Sequence, residues 1–213
     1  LGPAYTMLFA GGGVAVERWA SRGRRGWAVV SLATLSVLTS LLILPLAVPV
    51  LPVETFIKYS AAIGITPSTS EAKELSELPQ YYAVMFGWEG LARDVSAVYL
   101  AIPESEKSST IVIAPNYGEA GALEYYAPKY PLPRVISTHN SYWFWGYPKE
   151  GFRTAIVLRG EEEDHKKSCD DVTLAAVHTC RYCMPYENNM AIYVCRGLRI
   201  TPAEIWESHK TFD

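Results

Sequence analysis

Two short stretches carry the side chains best suited to chemistry. The first is Pro115-Asn116-Tyr117-Gly118-Glu119-Ala120-Gly121; the second is His139-Asn140-Ser141-Tyr142-Trp143-Phe144-Trp145-Gly146. Asn116, Glu119, His139 and Asn140 offer directional hydrogen bonds, while Tyr117, Tyr142, Trp143 and Trp145 offer flat apolar faces. That combination suits a polar ring, such as a sugar laid with its C–H side on an aromatic face, or a lipid headgroup. Glu119 and His139 are also the carboxyl and imidazole that an acid–base hydrolase would need, if both reached one ligand. The same residues admit plainer readings. Asn116 and Glu119 have the spacing of a capping box, Gly118 and Gly121 suit a tight turn, and the aromatic run suits a core or a membrane interface.

The four cysteines are Cys169, Cys180, Cys183 and Cys195. His178, Cys180 and Cys183 spell H-x-C-x-x-C, and Cys195 could complete four zinc ligands. In an exported domain paired cysteines are more often disulfides, and Cys183 with Cys195 is one pair that could join a loop to a strand. Spacing leaves the connectivity open, with free thiols as a third outcome. No metal site is assigned. The chain has no nucleophile elbow, Walker loop or dinucleotide fingerprint, so no cofactor is expected.

These loops need elements to hold them. Thr110–Ala114 (TIVIA) and Arg134–Thr138 (RVIST) read as short buried strands flanking a helix over Glu119–Tyr126, a βαβ unit. The two chemical loops then leave the carboxyl ends of parallel strands, the crevice where open α/β sheets bind ligands. Phe152–Leu158, Val172–Thr179 and Ala191–Arg196 add three strands, with the acidic polar tract Arg159–Asp171 between the first two. Helices are expected over Glu54–Ile63, over Glu71–Leu78 with Ser70 as N-cap, over Tyr81–Ile102 with Gly87 and Gly90 as interruptions, and over Pro202–His209. The expected fold class is α/β: a transmembrane helical region at 1–52, then an extracytoplasmic α/β sandwich at 53–213 with a mainly parallel sheet.

The membrane reading rests on charge. Gly26–Val53 contains no charged residue, and Trp27–Val48 is about 22 residues long, enough to cross a ~30 Å hydrocarbon core. Residues 1–17 read as the rear of a preceding span, 18–26 as a basic loop and 27–50 as a second span. Leu1–Pro52 carries one Glu and four Arg, a net of +3, which leaves −6 for the remainder of a chain whose total is −3. The positive-inside rule places Arg18, Arg22, Arg24 and Arg25 in the cytoplasm and exports everything after Val53. A signal peptide with those arginines as its n-region is the competing reading, but no small-x-small cleavage site follows. The acidity of the remainder argues against nucleic acid as a partner.

Six stretches in order, PAYTMLFAGGGVAVERW, LAVPVLPVETFIKY, LPQYYAVMFGW, NYGEAGALEYY, HNSYWFWG and CRYCMPYENNMAIYVCRG, resemble the C-terminal part of bacterial glycosyltransferase family 39 proteins, relatives of the dolichyl-phosphate-mannose–protein mannosyltransferases. The resemblance runs from about Pro3 to Gly197. It implies a multi-pass cell-membrane protein of GT-C architecture whose partners are a polyprenyl-phosphate-linked sugar and membrane lipid. It also implies catalytic acidic residues in an early exported loop, in a further N-terminal transmembrane region of the same protein. The catalytic residues are then not among those read here, and any divalent-metal need of the parent stays open. On this reading Asn116, Tyr117, Glu119, His139, Asn140, Tyr142, Trp143 and Trp145 help to bind donor or acceptor. The alternative is a non-catalytic exported module that binds glycan or a partner.

Overall fold

The computed structural model describes residues 2–23, 25–67, 77–149 and 151–212. The chain forms two compact units, Leu1–Thr66 and Pro67–Asp213.

The first unit is helical. Helix α1 spans Gly2–Arg22, α2 spans Gly26–Ala47 and α3 spans Val53–Ala62. Arg18 and Arg22 lie on α1 itself, so the expected basic loop at 18–26 contracts to the turn between the two helices. Gly11, Gly12 and Gly13 sit in mid-α1, where an added Cβ would meet nothing within 4 Å. Helix α2 buries none of its residues, and Leu35, Val37, Leu38 and Leu41 are all exposed. Ser36 Oγ turns back on the helix, donating to the Leu32 carbonyl at 2.8 Å. Pro45 falls in the last turn, and α2 ends there. Among the described residues α2 alone is long and apolar enough to cross a membrane. Helix α3 belongs to this unit rather than to the next, and its Tyr59 hydroxyl donates to the Leu42 carbonyl.

The second unit is mixed α/β. In chain order it contains α4 (Gln80–Ala83), α5 (Trp88–Ala101), α6 (Glu104–Lys107), β1 (Thr110–Ile113), α7 (Tyr117–Tyr126), β2 (Arg134–Ile136), a 3-10 helix at Asn140–Trp145, β3 (Thr154–Leu158), α8 (Glu162–Ser168), β4 (Cys169–His178), a 3-10 turn at Pro185–Glu187, β5 (Met190–Leu198) and α9 (Pro202–Ser208). The helix expected over Tyr81–Ile102 is broken at Gly87, whose φ of +94° only glycine adopts cheaply. The expected helix at Glu71–Leu78 lies almost wholly outside the described residues. The acidic tract yields α8, with Glu162, Glu163 and Asp164 in its first turn and His165, Lys166 and Lys167 in its last, each at the end its sign favours.

The five strands form one sheet in the order β2-β1-β3-β5-β4. Strand β1 pairs in parallel with both β2 and β3, whereas β5 is antiparallel to both β3 and β4. The sheet is therefore mixed, not mainly parallel. The physical reason lies in the connections. Residues 179–189 contain no crossover helix, only a turn, and so return β5 antiparallel to β4. Side chains alternate across the strands into two apolar clusters. Val112, Ile156, Ile192 and Val194 pack with Leu91, Val95 and Val98 of α5 and Leu123 of α7. Ile111, Ile136, Ala155 and Cys195 pack with Phe152 and with Ile205 and Trp206 of α9.

The disulfide joins Cys169 to Cys195, not Cys183 to Cys195. The hairpin register explains why Cys183 is not the partner. Cys195 pairs with Val172 toward the open end of the hairpin, while Cys183 lies in its connection beyond Met190, about 16 Å of strand away at ~3.3 Å per residue. The Cys169–Cys195 bond closes a separation of 26 residues. The C169S/C195S double variant should therefore lose about 3 kcal/mol of unfolding free energy, read as a lower urea midpoint for the detergent-solubilised chain. An unchanged midpoint would show that the hairpin register alone holds this end of the sheet.

Candidate ligand-binding edge

The carboxyl ends of β1, β2 and β3 point the same way because the three strands are parallel neighbours. Asn116, His139 and Arg159 follow these three strands. After β1, Asn116 is the N-cap of α7, and its Oδ1 accepts the Glu119 backbone N–H at 3.0 Å. The local sequence dictates this: a short amide side chain in extended backbone satisfies a donor that the helix leaves orphaned. After β2, the chain turns at His139 and Asn140. The Asn140 N–H donates to the Thr211 carbonyl at 2.8 Å, and its φ of +51° suits an asparagine.

Tyr117 and His139 meet across these two loops. The Tyr117 N–H donates to His139 Nδ1 at 3.4 Å, and the two rings stack with centroids 5.3 Å apart and planes 25° from parallel. With Nδ1 accepting, a neutral His139 carries its proton on Nε2. Tyr117 is exposed, so this stacked pair faces solvent on one side.

Glu119 goes the other way. It is completely buried, and its Oε1 is paired with the Arg159 guanidinium. Glu119 Oε2 and Arg159 Nε, both inaccessible, have no hydrogen-bond partner among the described residues. Loss of water pushes the Glu119 carboxyl up from its ordinary range. The pull of Arg159, of Asn116 and of His139 in the opposite direction does not cancel that rise. A carboxylate in the first turn of a helix is favoured electrostatically, but an apolar surround costs it more.

Arg159 follows the last residue of β3, so the same carboxyl-edge rule that singled out the first two loops applies to it; its place at the start of the acidic, polar tract concealed this. Its backbone is held at φ +70°, its N–H donates to the Ala191 carbonyl at 2.8 Å and its carbonyl accepts from His165 Nε2 at 2.8 Å. Its guanidinium lies 5.7 Å from the centroid of the Tyr186 ring. Gly160 follows at φ +86°, and a Cβ there would stand 2.8 Å from His165 Nε2. No larger residue fits without moving His165.

The aromatic run divides. Tyr142 donates its hydroxyl to Glu124 Oε2 of α7 at 2.8 Å, and its ring lies 4.3 Å from that of Trp145, which is exposed. Burial first, and the Glu124 carboxylate second, hold the Tyr142 phenol well above its usual value. Trp143 turns away. Its Nε1 donates to the Trp206 carbonyl at 3.3 Å, Trp206 Nε1 returns a bond to the Trp143 carbonyl at 3.1 Å, and Lys210 Nζ caps the ring at 3.9 Å from its centroid. Trp143 thus anchors α9 to the sheet. Asn116, Tyr117, Glu119 and His139 are brought together, Tyr142 and Trp145 flank them along α7, and Asn140 supplies the corner. His178 of the H-x-C-x-x-C stretch directs Nδ1 to Asp94 Oδ2 at 2.7 Å, and no group of three or more metal-capable side chains occurs among the described residues.

Chemically, the edge offers an exposed aromatic–imidazole stack, a second aromatic pair and a guanidinium seated on a buried carboxyl. Such a set can hold hydroxyl-rich or anionic ligands. Glu119 is sealed inside, so it positions Arg159 and does not itself reach a ligand in this state. No protein-family model, curated protein or solved structure matches the chain.

The raised Glu119 carboxyl has a measurable sign. Between its unfolded value, about 4.3, and its higher folded value, the folded chain holds a proton that the unfolded chain has lost, so stability falls as pH rises through that window. Glu119→Gln removes this titration. From about pH 4 to pH 7 the wild-type Tm should fall relative to that of E119Q in the same detergent. A wild-type Tm that climbs relative to the variant would show that attraction to Arg159 outweighs the loss of water.

Proposed function

We propose that this chain is the C-terminal part of a membrane glycosyltransferase that moves a sugar from a polyprenyl-phosphate donor to an acceptor outside the cytoplasm. Its second unit is an exported α/β sandwich that helps to bind donor or acceptor. The observation that carries the binding role is the meeting of the Tyr117–His139 stack with the Glu119–Arg159 pair at the carboxyl edge of three parallel strands. Aromatic faces suit the C–H side of a sugar, and a guanidinium suits a phosphate or a vicinal diol. The membrane role is supported by α2, whose apolar residues are nowhere buried, as suits a lipid environment, and whose 22 residues span about 33 Å. The arginines at the α1–α2 turn favour a cytoplasmic turn, which puts the end of α2 and the ligand edge on the far side. The sequence resemblance assigns the catalytic carboxylates to an earlier exported loop, so the part played here is ligand holding.

In nanodiscs, the chain should bind at least one member of a panel of polyprenyl-phosphate hexoses and short glycans, followed by tryptophan fluorescence. His139→Ala and Tyr117→Ala should each weaken that binding about tenfold, the loss of roughly 1.4 kcal/mol expected for one stacking or hydrogen-bonding partner. Binding by no panel member, or equal binding by both variants, would end the proposal. Sugar transfer catalysed by this chain alone would show that the reacting carboxylates lie within it. On right-side-out cells, protease added outside should cleave the second unit and leave the α1–α2 turn intact; the reverse pattern would overturn the assigned orientation.

A further inference from the structure

The cysteines outside the disulfide occupy a turn built around their sulfur atoms. Cys180 and Cys183 stand three residues apart in the β4–β5 connection, Cys180 half-buried and Cys183 buried. The Cys183 N–H donates to Cys180 Sγ at 3.2 Å, and Cys183 Sγ donates to the Cys180 carbonyl at 3.2 Å. Both thiols are thereby folded into one tight turn. The turn is tied down by the Cys180 N–H, which donates to Asn188 Oδ1 at 2.9 Å, and by the Tyr182 ring, 5.9 Å from that of Phe86.

Helix α5 starts against this turn. Gly87, its N-cap, has φ +94°, and a Cβ there would lie 3.2 Å from Cys180 Sγ and 3.5 Å from Cys183 Cβ. The missing side chain lets the start of a 14-residue helix approach the sulfur directly. The start of α5 and the Cys183 N–H both lie against Cys180 Sγ. Cys183 has the opposite setting. Burial, with Cys180 and Glu187 adding to it, holds its thiol well above the usual range. One cysteine is partly accessible, and the other is shielded three residues away.

We infer that Cys180 and Cys183 form a thiol–disulfide exchange site, with Cys180 as the attacking and Cys183 as the resolving cysteine. The co-reactant is a disulfide, either of a dithiol protein or of a small thiol such as glutathione. The Cys180 thiolate attacks one sulfur of that disulfide, forming a mixed disulfide and releasing one co-reactant thiolate. Cys183 then gives up its proton and attacks Cys180 Sγ. This breaks the mixed disulfide and releases the second co-reactant thiolate. The two cysteines are oxidised by two electrons and the co-reactant disulfide is reduced to two thiols, so the exchange balances and runs backward when a reduced dithiol is in excess.

The test uses the full chain in nanodiscs and oxidised glutathione as probe, with peptide masses read after acid quench. Wild type should lose two hydrogens as the Cys180–Cys183 disulfide and retain no glutathione adduct. Cys183→Ala should trap glutathione on Cys180, whereas in Cys180→Ala an adduct on Cys183 should form at least tenfold more slowly. A measurement on wild type guards against misfolded variants: brief iodoacetamide treatment should alkylate Cys180 at least tenfold faster than Cys183. Stable adducts on both wild-type cysteines, equal alkylation rates, or a stoichiometric zinc ion released on thiol modification would each overturn the assignment.

Discussion

Parallel pairing on both sides of β1 is the constraint on which the second unit depends. A strand cannot reach a parallel neighbour through a tight turn, so the chain must travel back across the sheet each time. From β1 to β2 it does so through α7, which packs with α5 into one apolar cluster. From β2 to β3 it passes through Trp143, Tyr147 and Phe152, which belong to the opposite cluster. Both sides of β1 are covered as a result, and Val112 is fully buried. The three carboxyl ends are left side by side.

That edge is costly in a way the rest of the sheet is not. A fully buried Glu119 must give up water, and the penalty for a buried ion is several kcal/mol before pairing offsets it. Arg159 provides the pairing from a backbone held at positive φ, a conformation that costs a non-glycine residue of order 1 kcal/mol. Leu or Met in place of the pair would give a quieter edge. Polar groups held against such a gradient collect where ligands are bound, and here they lie beside the exposed stack of Tyr117 on His139.

The antiparallel half of the sheet has a different organisation. The β4–β5 hairpin holds Cys169–Cys195 among apolar side chains toward its open end and Cys180 with Cys183 at its connection. Hairpin length keeps the two sulfur pairs apart. Gly87 and Gly90 mediate the contact with α5. The first meets the cysteine turn, and the second meets His178, whose Cε1 would stand 3.0 Å from an added Cβ.

Much of this was legible in local sequence. TIVIA and RVIST announced β1 and β2 because runs of β-branched residues suit a buried strand. Their parallel relation followed from the helix between them, and so did the placing of Asn116, Tyr117 and His139 at one edge. The charge-free run of α2 was visible in the same way, since helix length and apolarity are properties of a single segment. Other features depended on partners distant in the chain. Glu119 and Arg159 are 40 residues apart, and no spacing rule connects a helix start to the end of a later strand. Trp143 and Trp145 are chemically alike in the sequence, yet docking of α9 turned the first inward and left the second exposed. The cysteine pairing waited on the tertiary structure, because a disulfide needs two Cβ atoms within a few ångströms, and the fold brings Cys169 and not Cys183 that close to Cys195. The sequence by itself determined the elements and the edge on which the chemistry gathers. Tertiary structure decided which side chains face that edge and which cysteines remain thiols, because those outcomes are set by contacts between segments.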